Sequence, residues 1–371
     1  MTTEQIYSLV NLAAQESMGS TTLQANDASS LVSLGNTILS SQTNTEAFLN
    51  TLVQRIGRTI VSYRAYRNKF LQYIKSSMEW GAIMQKVKAS MPQAVEDPTY
   101  SLTDGQSVDP WTVYKPEVNQ KLFVKRSPFM IPLTIQRITL REAFLSPDAM
   151  ETFIGAIFGE VRNYIELSNE NMGRVTLANM IAESSGGAQT INLVANYNTA
   201  TGENVTAGMA ALYNESFLRY AIAQINLYSD KLTDMATVYN KEGEERHTPY
   251  EDQFMVVNTE FERALQTQVQ WAAFNDQYVR MMEGYIKSNY WQANKSPLSI
   301  QVKRASDDED TTVNNIVAVI HDRDALGMYS EEEDVLTTPV NAKARYYNTF
   351  WHIRNQWFND LSENFLVFTL N

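Results

Sequence analysis

Three histidines, His247, His321 and His352, and two carboxylate runs, Asp307-Asp-Glu-Asp310 and Glu331-Glu-Glu-Asp334, are the side chains whose types suit acid–base or metal chemistry. The histidines stand in three unrelated contexts, and none belongs to an HExxH or comparable metal-ligand spacing, so ordinary surface or hydrogen-bonding roles are expected. His321-Asp-Arg-Asp324 looks superficially like a kinase catalytic loop, but a glycine-rich phosphate loop, an Asp-Phe-Gly sequence and an Asn at the required offset are all missing. A hard cation such as calcium takes six to eight oxygens, yet neither acidic run has the alternation and central glycine of an EF-hand loop, and both read as solvated loops. There is no GxSxG elbow, P-loop or GxGxxG fingerprint, and Ser184-Ser-Gly-Gly187 reads as a helix stop rather than a phosphate cradle. With no cysteine, a disulfide framework, a thiolate zinc site and a cysteine nucleophile are excluded. No catalytic, cofactor-binding or metal residue is assigned, and no cofactor is called for.

Contact chemistry is better represented than catalytic chemistry. Lys121, Lys125, Arg126, Arg137 and Arg141 alternate with the apolar residues of Leu122-Phe-Val124, Phe129-Met-Ile131, Leu133-Thr-Ile135 and Ile138-Thr-Leu140. A cationic extended arm with so little core of its own needs a neighbouring surface to lie on. The chain as a whole is acidic, with net charge -12 and pI about 4.9, so it lacks the basic footprint of a nucleic-acid reader. A second basic run, Arg55, Arg58, Arg64, Arg67 and Lys69, reads as a solvated helix face.

The elements that carry these residues suit an α+β protein of two or three domains. A chain of 371 residues with 44% apolar and 11% aromatic side chains has enough apolar material for real cores and large interfaces. Ile6, Leu9, Val10 and Ala13 predict a first helix, followed by a loosely packed Ser/Thr/Asn/Gly-rich connection over 19–44 and a second helix from Thr45, which is placed as its cap. These fall in an N-terminal segment of residues 1–91. Turn formers at Pro92, Asp97-Pro98 and Asp104-Gly105 open residues 92–145, read as an extended β-hairpin whose Pro128 and Pro132 confine it to an edge. Ser146 as N-cap, Pro147 at the first helical position and Asp148 begin a long helix within 146–187, with Gly173 as its candidate kink. Residues 188–330 read as a mixed region, with amphipathic runs at 212–235 and 250–285 and buried strands at Ile300-Gln-Val302 and Ile316-Val-Ala-Val-Ile320. Residues 331–371 close the chain with aromatic clusters and a strand at Phe365-Leu-Val-Phe-Thr-Leu370. The start, Met1-Thr-Thr-Glu-Gln, lacks a secretion signal, and no apolar run approaches the roughly 20 residues that span a bilayer, so a chain made and used in a cytoplasm, away from membranes, is expected.

In order and texture the chain resembles the major capsid proteins of tailed bacteriophages, with their HK-ninety-seven fold. The local likeness lies in Asn50-Thr-Leu-Val-Gln-Arg-Ile-Gly57, Asp104-Gly-Gln-Ser-Val-Asp-Pro110, Tyr347-Asn-Thr-Phe350 and Asn359-Asp-Leu-Ser-Glu-Asn-Phe365. The resemblance implies an N-terminal arm (1–91), an E-loop hairpin (92–145), a spine helix of the peripheral domain (146–187), an axial domain (188–330) and a return into the peripheral sheet (331–371). It further implies a homo-oligomer of hexamers and pentamers forming an icosahedral or prolate shell around double-stranded DNA. Scaffolding and portal proteins would be partners, packaged DNA would lie nearby without being read, and the protein would reside in the virion after assembly in the host cytoplasm. On this reading the five cations meet acidic patches of adjacent copies. The rivals are an encapsulin-like shell or scaffold protein and a metal-dependent hydrolase built from scattered carboxylates.

Overall fold

The computed structural model describes residues 3–19, 24–56, 66–75, 84–89, 91–92, 94–115, 118–124, 126–267, 285–292 and 298–371. The chain forms two compact units, one of Met1–Trp80 with Arg126–Asn371 and one of Gly81–Lys125.

The larger unit opens with α1 (Thr3–Met18), α2 (Ala28–Ser40) and α3 (Gln42–Ile56). α2 falls inside the stretch expected to be a loose polar connection. Its Leu31, Leu34, Ile38 and Leu39 are buried at helical spacing, and Asp27 with Ser30 forms a reciprocal capping box. Thr45, expected as a cap, is buried inside α3 and donates its hydroxyl to Ser41 O at 2.8 Å.

β1 (Met84–Ala89) and β2 (Val118–Phe123) pair as an antiparallel ribbon in the smaller unit. β3 (Ser127–Gln136) does not continue that ribbon. It is the edge of a separate three-stranded sheet in the larger unit, where an edge tolerates the missing N–H groups of Pro128 and Pro132. Ile138-Thr-Leu140, expected as strand, lies in α4 (Arg137–Ala143): β3 runs out of a partner at Gln136, and the chain coils to bury Leu140, Ala143 and Phe144.

The long helix is observed. Ser146 Oγ accepts from Ala149 N at 3.1 Å at the head of α5 (Pro147–Ile154), a π-helical turn spans Gly155–Gly159, and α6 (Glu160–Glu183) follows. Together they extend roughly 55 Å at 1.5 Å per residue. The irregularity sits at 155–159 rather than at Gly173, whose bare Cα lets the Trp357 ring and Phe70 pack close.

β4 (Thr190–Asn192), α7 (Leu193–Thr201), α8 (Glu215–Leu232), β5 (Gln253–Asn258), α9 (Thr259–Leu265) and β6 (Ile286–Ser288) come next. A helix throughout 250–285 was expected; Gln253–Asn258 is instead a strand of almost wholly buried residues, and 268–284 lie outside the described residues. β7 (Ile300–Lys303), β8 (Asp310–Val313), β9 (Ile316–Asp322), β10 (Leu326–Thr337), β11 (Tyr346–Asn359) and β12 (Phe365–Thr369) complete the chain. The main sheet has the order β4-β12-β9-β5-β6, with every residue of β9 and β12 buried. Its Val256, Val319 and Val367 face α6 and Trp291, while Met255, Ile320, Leu366 and Phe368 face α8, so helices cover both sides. β10-β11-β3 form the antiparallel second sheet, packed on α1–α5. The last strand therefore belongs not with β10 and β11 but in the main sheet, beside β9.

Candidate assembly interface

The smaller unit is a ribbon with a long excursion at its end. In its register Lys86 stands opposite Lys121 and Met84 opposite Phe123, which puts Met84, Lys86, Lys88, Lys121 and Phe123 on one half-buried face. The opposite face presents Val87, Val118 and Leu122, each more than half exposed. Lys86 and Lys88 were missed from sequence, although the alternation Lys86-Val87-Lys88 carried the period-two signal.

Two Asp-Pro turns shape the excursion. Asp97 accepts from Thr99 Oγ1 at 2.6 Å and Thr99 N at 2.9 Å, and Asp109 accepts from Trp111 N and Thr112 Oγ1, both at 2.9 Å. These bonds hold both carboxyls below the usual carboxylate range, the Thr99 hydroxyl leading at Asp97 and the Trp111 N–H at Asp109. Each turn presents an aromatic to solvent: Tyr100 is 94% exposed and Trp111 84%. Met91, Val95, Leu102, Val108, Val113 and Tyr114 are exposed as well. A two-stranded ribbon is marginal alone, and covering one such side chain gains about 1.5–3 kcal/mol.

The five expected contact cations do not share one arm. Lys121 lies on the ribbon, and Lys125 is outside the described residues. Arg126 is exposed just before β3, and Arg137 and Arg141 lie on α4. Arg137 has an internal duty, since its Nη2 donates to Leu39 O at 2.7 Å and ties α4 to the end of α2.

Residues 66–75 form a strap across the larger unit. Phe70 and Tyr73 are fully buried, Tyr66 Oη donates to Glu170 Oε2 at 2.6 Å, and Lys75 N donates to Met328 O at 2.9 Å. Under the strap Arg174 Nη2 reaches Glu170 Oε1, and Arg174 stacks over Phe70 and Tyr290. Burial pushes the Glu170 carboxyl up, but the bonds from Tyr66, Arg174 and Lys69 N outweigh it and hold the group below its ordinary value.

The acid–base candidates are absorbed by structure. His321 is buried, with Nε2 2.8 Å from Tyr73 Oη and Nδ1 2.8 Å from Asp322 O, and burial lowers its pKa to about 4. His247 and His352 are exposed. Arg304 pairs with Asp307 and Glu309 within the β7–β8 loop. Glu331–Asp334, expected as a solvated loop, instead runs through β10 past a bulge between Ser330 and Glu332. Among the described residues no three His, Asp or Glu side chains gather as a metal cluster, and no helix is long and apolar enough to cross a membrane.

Comparison with known proteins agrees with this architecture. A subunit from the capsid structure of Staphylococcus phage Andhra superposes with a TM-score of 0.52 at 13% identity, covering 84% of this chain and 87% of the other. A chain from the structure of the head fiber and inner core protein of native bacteriophage P68 superposes at 0.51 and 12% identity, with the same coverages, 84% and 87%. These likenesses show the fold, the HK-ninety-seven-like capsid fold. No curated protein matches. The family model described as Phi29-like phage major capsid protein matches residues 10–369, and the chain belongs to that family of shell-forming virion proteins.

Proposed function

We propose that this major capsid protein closes its shell through the ribbon unit, each copy laying residues 84–124 on an adjacent copy within hexamers and pentamers. The observation that carries this is that none of the described residues of that unit is fully buried, while Tyr100, Trp111 and Tyr114 stand in water. The ribbon face holding Lys86, Lys88 and Lys121 suits acidic neighbours in a chain of net charge -12, and gives register more than raw affinity. Arg126 and Arg141 belong to the same contact set; Arg137 is chiefly a structural tie. The shell encloses double-stranded DNA without reading it, assembles in the host cytoplasm with scaffolding and portal proteins, and does no catalysis. Two of the acid–base candidates support that last point, since His321 is buried with both ring nitrogens in hydrogen bonds and Asp307 is paired with Arg304.

Replacing residues 92–115 with a short Gly-Ser turn tests the reading. The subunit should keep its thermal midpoint and stop forming closed particles. Normal particle yield from that variant would overturn it.

A further inference from the structure

An open cleft of about 620 Å³ lies between the strap, α9 and β6. Lys69, Arg263 and Lys287 give it a cationic rim, and Leu71, half exposed at 51%, and Tyr285 supply apolar wall. Glu262, the acidic side chain that lines it, is buried: its Oε1 accepts from Tyr285 Oη at 2.8 Å and pairs with Lys287, and its Oε2 has no hydrogen-bond partner among the described residues. The cleft thus favours an apolar group flanked by negative charge. Its volume exceeds that of an indole, and at its end Thr259 Oγ1 donates to Asn289 Oδ1 at 2.7 Å, tying α9 to the segment after β6.

The excursion between β1 and β2 has the matching character. Around Trp111 and Tyr114 it carries Glu96, Asp97, Asp104 and Asp109 against the single cation Lys115 among the described residues. Asp109 fixes the turn that presents Trp111, so little conformational freedom is lost when the indole is seated. Large aromatic anchors entering a pocket with a charged rim are the usual centre of binding energy in an interface.

We propose that Trp111 of one copy seats in the strap–α9 cleft of a second copy, with the acidic excursion meeting Lys69 and Arg263. The inference rests on the shell reading above and names its contact. Because the two surfaces differ, the contact is heterologous, and repetition around an axis closes it into a ring.

The chain contains no cysteine, so a Val113→Cys, Gln72→Cys double variant can be crosslinked with a short bismaleimide against no background. Assembled particles should give a ladder of covalent multimers that neither single variant gives. Trp111→Ala should leave the thermal midpoint of the free subunit unchanged and lower particle yield at least about tenfold, the loss typical of truncating a central anchor. Lys69→Glu with Arg263→Glu should lower it too, and Asp104→Lys should restore part of it. Particles without a ladder, an internally crosslinked monomer, or full yield from Trp111→Ala would each overturn the inference. Failure of the unaltered chain to form any particle would instead overturn the shell reading.

Discussion

Arg174 and Glu170 lie one turn apart on α6 with Nη2 and Oε1 2.6 Å apart, both almost wholly withdrawn from water. The pair does more than hold the helix. Arg174 Nη1 also donates to Ser288 Oγ at 2.9 Å, and Glu170 accepts from Tyr66, so one ion pair joins spine helix, strap and main-sheet edge. Removing one partner strands a buried charge, and Glu170→Ala should cost about 3–5 kcal/mol. The Glu170→Met, Arg174→Met double variant should cost less than the sum of the single losses. Urea unfolding of the dissociated subunit measures both; a single-variant cost under about 1 kcal/mol would show that the network is not what seats the strap.

Protonation of His321 should make the subunit acid-sensitive. Burial lowers its pKa from the ordinary 6.5 to about 4, so the unfolded chain binds the proton first as pH falls. Stability should therefore decline from about pH 6.5 toward pH 4, by up to on the order of 3 kcal/mol. The groups facing it are Tyr73 Oη, the Phe254 ring, Asp322 O and the charge of Lys75. Asp322, raised by its own burial, takes up a proton early in the folded chain and offsets part of the loss. Thermal midpoints at pH 7 and 5 should differ more for the unaltered subunit than for His321→Gln; equal differences would contradict this assignment.

Gly35 lies in α2 where a Cβ would stand 2.5 Å from Phe144 Cγ, a fully packed ring. Gly35→Ala would ordinarily stabilise a helix by about 1 kcal/mol. Here overpacking should prevail, for a net loss of about 1–2 kcal/mol in urea unfolding. A gain in stability would show that Phe144 can move aside.

Charge reversal should separate the contact cations from the structural one. Lys121→Glu with Arg126→Glu should leave the subunit folded and reduce closed-particle yield. Arg137→Glu should cost about 1 kcal/mol of stability by itself, because Leu39 O loses its charged donor. Thermal melts alongside particle counts distinguish the two; unchanged yield in the first variant would remove Lys121 and Arg126 from the interface.

Much of this architecture was legible in the residues, and the failures have local causes. Ser146-Pro147-Asp148 specified the spine-helix start because cap and first turn are local chemistry. β9 and β12 were visible as unbroken apolar runs because both faces of the main sheet are covered. α2 was hidden by its serines and threonines, which mask Leu31, Leu34 and Ile38 in composition but not in spacing. Arg137 and Arg141 were placed on an extended arm because nothing in the sequence marks where β11, far along the chain, ceases to pair with β3. The strap–α9 cleft was invisible for the same reason, since Lys69 and Arg263 meet only through tertiary packing.

The most direct test of the shell-forming role is negative-stain electron microscopy of the purified protein, alone and with a scaffolding protein. Closed shells, or hexamer and pentamer rings, are the expected result; a uniformly small globular particle under both conditions would contradict it.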